Sequence, residues 1–190
     1  MSNHTVKMIV ITPTLRLRIE VDTDAESPAS WDNVGEITYR KGSREVLGTE
    51  PINMDRYEEI GVGIKHGTLI GLPVYAYVHS GSTIATTPFS CPWDSGRSGW
   101  VYCTTEKAIA EFGKKILTAE VKAKTLQCLK GQVGTFAQYL AGEVYGYILE
   151  QAVMGGYEEL DSCWGMYGLD YCEEAGREAA AHHTEEVANA

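Results

Sequence analysis

Residues 15–21 read LRLRIEV, with apolar side chains at positions 15, 17, 19 and 21 and charged side chains at positions 16, 18 and 20. This alternation has the period of a strand that buries one face and exposes the other. Residues 7–11 precede it across Thr12, Pro13 and Thr14, and the two segments predict a β-hairpin. An antiparallel sheet is therefore expected at the start of the fold.

The remaining elements come in blocks. Strands are predicted at residues 36–39, 73–78, 83–87 and 98–103, and helices then follow at residues 104–113, 118–129 and 133–140, with glycines at 113, 131 and 142 expected to end them. Strands at 143–149 and 160–167 and an acidic helix over 169–187 complete the prediction. Residues 54–70 give no clear pattern. Blocks of strands and helices, without strict alternation, favour an α+β fold with an antiparallel sheet.

Length and composition are those of an ordinary globular protein. The chain has 190 residues, 44% of them hydrophobic and 22% charged, and it predicts one domain over residues 1–181 with a mobile tail over 182–190. Its five cysteines are odd in number and never spaced as CxxC, which favours reduced thiols in the cytosol. No apolar run is long enough to span a bilayer and no secretory signal is evident, so we expect a soluble cytoplasmic protein without a membrane partner.

The net charge of −10 is unevenly distributed. Residues 1–140 carry 15 acidic and 15 basic side chains, whereas residues 141–190 carry 11 acidic side chains and one basic one, Arg177. An acidic surface repels phosphates, so direct binding of nucleic acid is not expected. It attracts a basic protein, including one that itself holds DNA or RNA. The alternative is a solvated acidic tail that only keeps the protein in solution.

The segment 78–100, VHSGSTIATTPFSCPWDSGRSGW, brings together the residue types of a nucleophilic site. His79, Cys91 and Asp94 could act as base, thiol and orienting carboxylate. Pro92 removes the backbone donor that an oxyanion hole often takes from the residue after the nucleophile. The structural alternative is a buried Cys91, an Asp94 that shapes a turn and a His79 at a strand end.

A zinc site could draw on the same residues together with Asp161 and Cys163, because thiolate, imidazole and carboxylate all suit that ion. No pair has the short spacing that would identify such a site, so no metal is predicted. The glycines of GVGIKHG at 61–67 lack the spacing of a phosphate-binding loop, and no cofactor is predicted.

The tryptophans and the WDN triplet suggest loops that pack together. They are either a surface for a ligand or partner, or a cap on the core with each indole N–H bonded to an oxygen. The residues concerned are Trp31, Asp32, Asn33, Trp93, Trp100 and Trp164.

Five stretches resemble, in the same order, a family of uncharacterised proteins carried by phages and other mobile elements of bacteria. They are WDN at 31–33, LPVYAYVHSG at 72–81, TTPFSCPWDSG at 86–96, EVYGYILE at 143–150 and DSCWGMYGLDYC at 161–172. After WDN this chain reads VGEITYRKGSREVLG, where the family usually has a GTM-type strand and a basic, aromatic segment. The resemblance implies a phage-borne accessory protein that acts in the bacterial cytosol. By analogy of context and charge, such proteins bind host proteins, and some inhibit CRISPR or restriction systems as mimics of DNA.

We therefore predict a non-enzymatic binding protein that engages a basic surface of a nucleic-acid-handling host protein, such as a CRISPR or restriction complex. Its predicted binding residues are acidic: Glu150, Glu158, Glu159, Asp161, Asp170, Glu173, Glu174 and Glu178. The alternative is a thiol- or metal-dependent enzyme, or a ligand-sequestering module, acting on a small molecule or nucleotide signal at residues 79–94. The lysines of residues 107–130 are expected to pair with the acidic C-terminal helix, within one molecule or between two copies in a homo-oligomer.

Overall fold

The computed structural model of the chain describes the backbone of residues 4–189 and the side chains of residues 4–185. The described strands are β1 Thr5–Thr12, β2 Leu15–Val21, β3 Glu36–Arg40, β4 Glu50–Ile52, β5 Leu69–Val78, β6 Ser82–Ala85, β7 Ser95–Thr104, β8 Val144–Val153 and β9 Gly156–Tyr167. The described α-helices are α1 Met54–His66, α2 Thr105–Glu111, α3 Ala119–Leu140 and α4 Leu169–Asn189, and a 3-10 turn covers Pro28–Ser30. Two mostly antiparallel sheets with grouped helices confirm the predicted α+β class.

The chain divides into two compact units. Unit 1 consists of Met1–Glu26 with Gly142–Ala190, and unit 2 consists of Ser27–Ala141. The single domain over residues 1–181 and the mobile tail over 182–190 stay predictions. Residues 182–189 belong to α4, and residue 190 lies outside the described residues.

Unit 1 is a four-stranded antiparallel sheet of order β1-β2-β8-β9 with α4 packed against it. The predicted hairpin is confirmed, and Leu15, Leu17 and Ile19 of LRLRIEV lie in the core of this unit. Helix α4 contributes small residues at intervals of four, namely Cys172, Gly176 and Ala180, all of them buried. A methyl group on Gly176 would lie 2.7 Å from Leu17. The apolar stripe of this helix is made of small side chains. They allow the helix to pack close to the sheet.

Unit 2 is a five-stranded sheet of order β4-β3-β7-β5-β6, in which only the β3–β4 pair is parallel. Val101 and Cys103 lie in the larger core with α2 and α3, while Tyr102 lies in a second core with Ile60 of α1. Because neighbouring residues of a strand point to opposite faces, α1 covers one face of the sheet and the other two helices cover the opposite face.

Helix α3 corrects the prediction of two separate helices. It runs without a break from Ala119 to Leu140, although Gly131 and Gly134 lie within it. Both glycines are exposed, whereas the buried residues follow a helical stripe made of Val121, Thr125, Leu129, Val133 and Phe136. Each glycine costs about 1 kcal/mol relative to alanine in a helix. The burial of this stripe offsets that cost, since full burial of one large apolar side chain contributes about 1.5–3 kcal/mol.

Helix α1 occupies the segment that the sequence left unassigned. Asn53 caps its first turn by accepting the amide of Arg56 at 2.9 Å, and Gly67 ends it with a φ of 78°. Ile60 is its one fully buried residue, which explains why no periodic pattern stood out. Among the helices that the structure describes, none is long and apolar enough to cross a membrane.

Candidate functional site

The loop between β6 and β7 places Cys91 beside Asp94 but not beside His79. The sulfur of Cys91 lies 3.6 Å from Oδ2 of Asp94, and Ser95 donates a hydrogen bond to the Cys91 carbonyl oxygen. The backbone amide of Val78 donates to the Asp94 carbonyl oxygen at 2.9 Å. These contacts close a turn, and they leave the thiol paired directly with a carboxylate.

His79 has different surroundings. Its backbone amide donates to the carbonyl oxygen of Gly81 at 3.1 Å, within the turn that joins β5 to β6. Its side chain lines a hollow with Glu45 and Leu140, whereas Asp94 lines a different one. Among the described residues the imidazole forms no hydrogen bond with Cys91 or Asp94. A nucleophilic triad needs the imidazole between the thiol and the carboxylate, and this arrangement does not provide it.

The other thiols and carboxylates give no metal site within the described residues, where no group of three or more His, Cys, Asp or Glu side chains could hold an ion. Asp161 instead accepts a hydrogen bond from the hydroxyl of Tyr147 at 2.8 Å. Burial, aided by this bond, raises the pKa of Tyr147 to about 12. Burial also raises the pKa of Cys103 and of Cys172 to about 11, so both thiols stay protonated at neutral pH.

The tryptophans differ in their surroundings. Trp100 packs against Tyr57 with ring centroids 5.5 Å apart, and its indole N–H donates to the Tyr57 carbonyl oxygen at 3.0 Å, as expected of a core-capping residue. Trp93 is 91% exposed and so caps no core. Trp31 is 42% exposed at the end of the 3-10 turn. Trp164 of unit 1 is 45% exposed and lies over Gly146.

The WDN triplet shapes the chain around the 3-10 turn. The side-chain amide of Asn33 donates to the carbonyl oxygen of Pro28 at 2.7 Å, and Lys107 of α2 donates to the carbonyl oxygen of Asn33, also at 2.7 Å. Asp32 is exposed. The triplet is therefore explained by local structure, because Asn33 ties the loop to itself and to a helix.

The two units differ sharply in charge. Unit 1 contains 15 acidic and 4 basic side chains, a formal net charge of −11, whereas unit 2 contains 11 acidic and 12 basic side chains, a net charge of +1. The sequence showed an excess of acidic residues after residue 140. The difference in net charge between the two units is larger still, because the acidic residues of positions 20–26 belong to the same unit as the C-terminal segment. The whole net negative charge of the protein belongs to the unit built on LRLRIEV.

Glu150 is not available to a partner, which corrects its predicted role. It is only 7% exposed, and its carboxylate accepts hydrogen bonds from Arg16 at 2.7 Å and from Arg18 at 3.0 Å. Arg18 also pairs with Glu20. Burial by itself raises the pKa of Glu150, but the hydrogen bonds from Arg18 and Arg16 lower it below its usual value. Glu150 thus belongs to an internal network of cross-strand ion pairs.

Glu173 is also engaged within unit 1. It forms ion pairs with Lys7 of β1 and with Arg177, one turn further along α4. Hydrogen bonds from these two cations lower the pKa of Glu173. The residue therefore fastens α4 to the first strand.

The other predicted acidic residues are exposed. Glu158, Glu159 and Asp161 lie on β9, the edge strand of the sheet, where Ser162 donates to Glu159 at 2.8 Å. Asp170, Glu174 and Glu178 lie at intervals of four on α4 and form no ion pair with any residue that the structure describes. Because residues four apart share one helix face, these three carboxylates form a line with a rise of about 6 Å between neighbours. We call this line the acidic stripe.

A basic hollow in unit 2 was not predicted. It has a volume of about 180 Å³ and is lined by Arg40, Ile52, Asn53, Met54, Tyr57, Arg97 and Ser98. We call it the arginine pocket. Its two arginines are 57 positions apart in sequence, and no local pattern connects them.

Comparison with known proteins returned no matching family model, no matching curated protein and no matching solved structure. The resemblance to phage-borne proteins therefore stays a prediction.

Proposed function

We propose that the protein is a non-enzymatic binding protein whose unit 1 engages a basic surface on another protein. The observation that carries this proposal is the acidic stripe of Asp170, Glu174 and Glu178, whose carboxylates are exposed and form no ion pair among the described residues, since the neighbouring Arg177 pairs with Glu173. Like charges at a spacing of four destabilise a helix. Glu173, on the same helix, forms ion pairs with both Lys7 and Arg177. Cations are therefore present near this helix, and the three carboxylates of the acidic stripe do not pair with them.

The partner that fits this stripe is a protein that binds nucleic-acid phosphates. Such a protein presents rows of Lys and Arg, whose attraction to a line of charges dominates its affinity. A helix with evenly spaced carboxylates offers a comparable line on a rigid support. Glu158 and Glu159 on the edge strand supply further negative charge in the same unit. The resemblance to phage proteins supports a host defence complex, such as a CRISPR or restriction system, as that partner.

The test uses a variant that removes charge but keeps side-chain size: Asp170→Asn, Glu174→Gln and Glu178→Gln. The matched control changes three exposed acidic residues of unit 2, with Glu45, Glu58 and Glu111 replaced by Gln. The 190-residue chain is immobilised and exposed to the heparin-binding fraction of a bacterial lysate. Each retained protein is identified, purified and titrated calorimetrically at two salt concentrations.

We expect a retained protein that duplex DNA displaces and that the stripe variant binds about tenfold more weakly at about 0.15 M salt. The control should bind like the natural chain, and binding should weaken as salt rises because exposed charges are screened over about 8 Å. Equal binding by the stripe variant, or no competition from DNA, would disprove the proposal.

The anti-defence role has its own test. The chain is expressed in bacteria that carry an active CRISPR or restriction system, and the cells are then challenged with a targeted phage. Restored plaque formation is expected with the natural chain and with the unit 2 control, and it should fail with the stripe variant. Unchanged immunity against every system tested would remove the anti-defence role and leave the binding assay to decide the rest.

A further inference from the structure

The arginine pocket lies where two parallel strands end and a helix begins. Strands β3 and β4 are parallel, and their last residues, Arg40 and Ile52, are partners in register. Helix α1 starts at Met54, directly after its cap Asn53. Arg97 comes from β7, the antiparallel neighbour of β3. The topology therefore brings two arginines to one edge of the sheet.

The lining of the pocket combines an apolar part with hydrogen-bond donors. Ile52, Met54 and Tyr57 provide the apolar and aromatic part. Asn53 uses its Oδ1 to cap α1, and within the described residues its side-chain NH2 group forms no hydrogen bond. Small-molecule sites typically have this composition, with a few placed polar groups on an apolar lining.

The cations of the pocket are not neutralised by ion pairs within the part of the chain that the structure describes. Arg40, Arg97 and the neighbouring Lys41 form no ion pair with any described residue, whereas Arg16, Arg18, Arg56 and Arg177 all do. A second hollow of about 480 Å³ shares Arg40, Arg97 and Ser98 with the pocket and adds Lys41 and Asp94. Asp94 is the one carboxylate of the two linings, and it lies against the Cys91 thiol. The site therefore has an excess of positive charge.

Arg97 is held in position by aromatic rings. Its guanidinium carbon lies 4.1 Å from the ring centroid of Trp100 and 5.5 Å from that of Tyr57. Contact with an aromatic face does not use the N–H groups of a guanidinium as hydrogen-bond donors, so they can still bind an anion in a bidentate manner. Because the side chain is already ordered, a ligand that binds it loses less conformational entropy.

From this geometry we infer that the arginine pocket binds a phosphate-bearing small molecule with a planar or apolar part, the phosphate at Arg40 and Arg97 and the planar part against Tyr57 and Met54. Phosphate is favoured because the planar donor fork of an arginine matches its oxygens and two arginines line this pocket, and because the apolar lining adds affinity that a bare anion cannot use. This inference concerns unit 2 and does not depend on the acidic stripe of unit 1.

The probes are the four ribonucleoside 5′-monophosphates, with inorganic phosphate and adenosine as partial probes, titrated calorimetrically into the full chain. We expect at least one monophosphate to bind with a dissociation constant below about 1 mM, and both partial probes to bind more weakly. Arg97→Gln and Arg40→Gln should each weaken binding about tenfold or more. Arg97→Lys should restore only part of the loss, because lysine lacks the planar fork.

The matched control is Arg44→Gln, which removes an exposed arginine that lines neither hollow and forms no ion pair with any described residue. It should leave binding unchanged, and thermal melting should show that every variant is folded. No monophosphate binding at about 10 mM, or an equal loss in the Arg44 variant, would overturn the inference. It would also be overturned if a single-stranded hexanucleotide bound more than about tenfold tighter than any monophosphate, because the site would then serve nucleic acid.

Discussion

Arg18 reaches from β2 to β8 and donates two hydrogen bonds to Oε1 of Glu150, from Nη2 at 3.0 Å and from Nε at 3.3 Å. The second oxygen of the same carboxylate accepts from Arg16 at 2.7 Å, and the guanidinium of Arg16 in turn lies 3.4 Å from the ring centroid of Tyr157 on β9. One buried carboxylate thus links three neighbouring strands of unit 1. Its removal leaves Arg16 without a carboxylate partner among the described residues and leaves Arg18 with Glu20 alone.

Replacing Glu150 with Gln should destabilise the protein by about 1–3 kcal/mol, because Arg16 and Arg18 lose a charged acceptor in a partly buried position. The measurement is urea unfolding followed by circular dichroism. Glu158→Gln is the matched control, since Glu158 is exposed on β9, and it should change the free energy of unfolding by less than about 0.5 kcal/mol. Equal effects of the two substitutions would contradict the role assigned to Glu150.

The same network predicts sensitivity to acid. The hydrogen bonds from Arg18 and Arg16 overcome the effect of burial and lower the pKa of Glu150. A lowered pKa in the folded state means that the stabilisation is complete above the unfolded value of about 4.3 and is lost as the pH falls through the folded value. The Glu150→Gln variant should therefore lose less stability than the natural chain below about pH 4.3. Parallel unfolding curves from pH 7 downward would test this, and identical slopes for both proteins would contradict it.

Gly146 of EVYGYILE and Trp164 of DSCWGMYGLDYC pack against each other, so each motif contains a residue that constrains the other. A Cβ atom on Gly146 would lie 2.3 Å from Cε3 of Trp164, so an alanine there forces the indole to move. We expect Gly146→Ala to cost about 1–3 kcal/mol of stability. The cost should fall below about 1 kcal/mol in a Trp164→Ala background, where the ring is absent. A double-mutant cycle measures this coupling, and additive effects would show that the two residues do not constrain each other.

In helix α3, replacing glycine with alanine should have the opposite effect and raise the stability of the protein. Gly131 and Gly134 have nothing within 4 Å of an added Cβ atom and have helical backbone conformations. Changing either one to alanine should raise stability by about 0.5–1 kcal/mol, because alanine loses less conformational freedom on folding. Thermal or urea unfolding of each variant provides the measurement. A loss of stability would mean that the exposed face of α3 meets something else, such as a second copy of the chain.

These glycines also show what sequence reasoning can and cannot recover. The alternation in LRLRIEV predicted β2 and its hairpin because a half-buried strand leaves its pattern in consecutive residues. The break predicted at Gly131 was wrong, since local glycine signals do not include the burial that keeps α3 intact. A helical stripe over residues 121–136 was visible in the sequence, and giving it more weight than the glycine would have identified the single helix.

The site residues follow the same logic. Counting charges located the acidic segment, since net charge is a property of composition. It could not separate Glu150 from Glu158, because the pairing of Glu150 with Arg16 depends on the β2–β8 register across 134 positions. The arginine pocket was missed for the same reason, as only the sheet topology brings Arg40 near Arg97. Contacts between distant segments are set by the fold, and one sequence does not reveal them.

Thiol reactivity tests the placement of the edge strand. Cys163 is exposed on β9, whereas Cys103 and Cys172 are 4% and 0% exposed, with pKa values that burial raises to about 11. Since the thiolate is the reactive form, a disulfide reagent at about pH 8 should modify Cys163 first and reach the two buried thiols only on unfolding. Stopped-flow absorbance gives the rates and the number of thiols in each phase.

The variant Cys163→Ser should remove the fastest phase, and Cys172→Ser, as its control, should leave that phase intact. The half-buried Cys91 and Cys128 should react at intermediate rates, because the reagent reaches them less readily. A fast phase that survives Cys163→Ser and disappears in Cys91→Ser would instead mark the thiol beside Asp94 as the more reactive one. That result would support a nucleophilic role for Cys91 in the 79–94 loop. A half-buried thiol that reacts faster than an exposed one must have an activated thiolate.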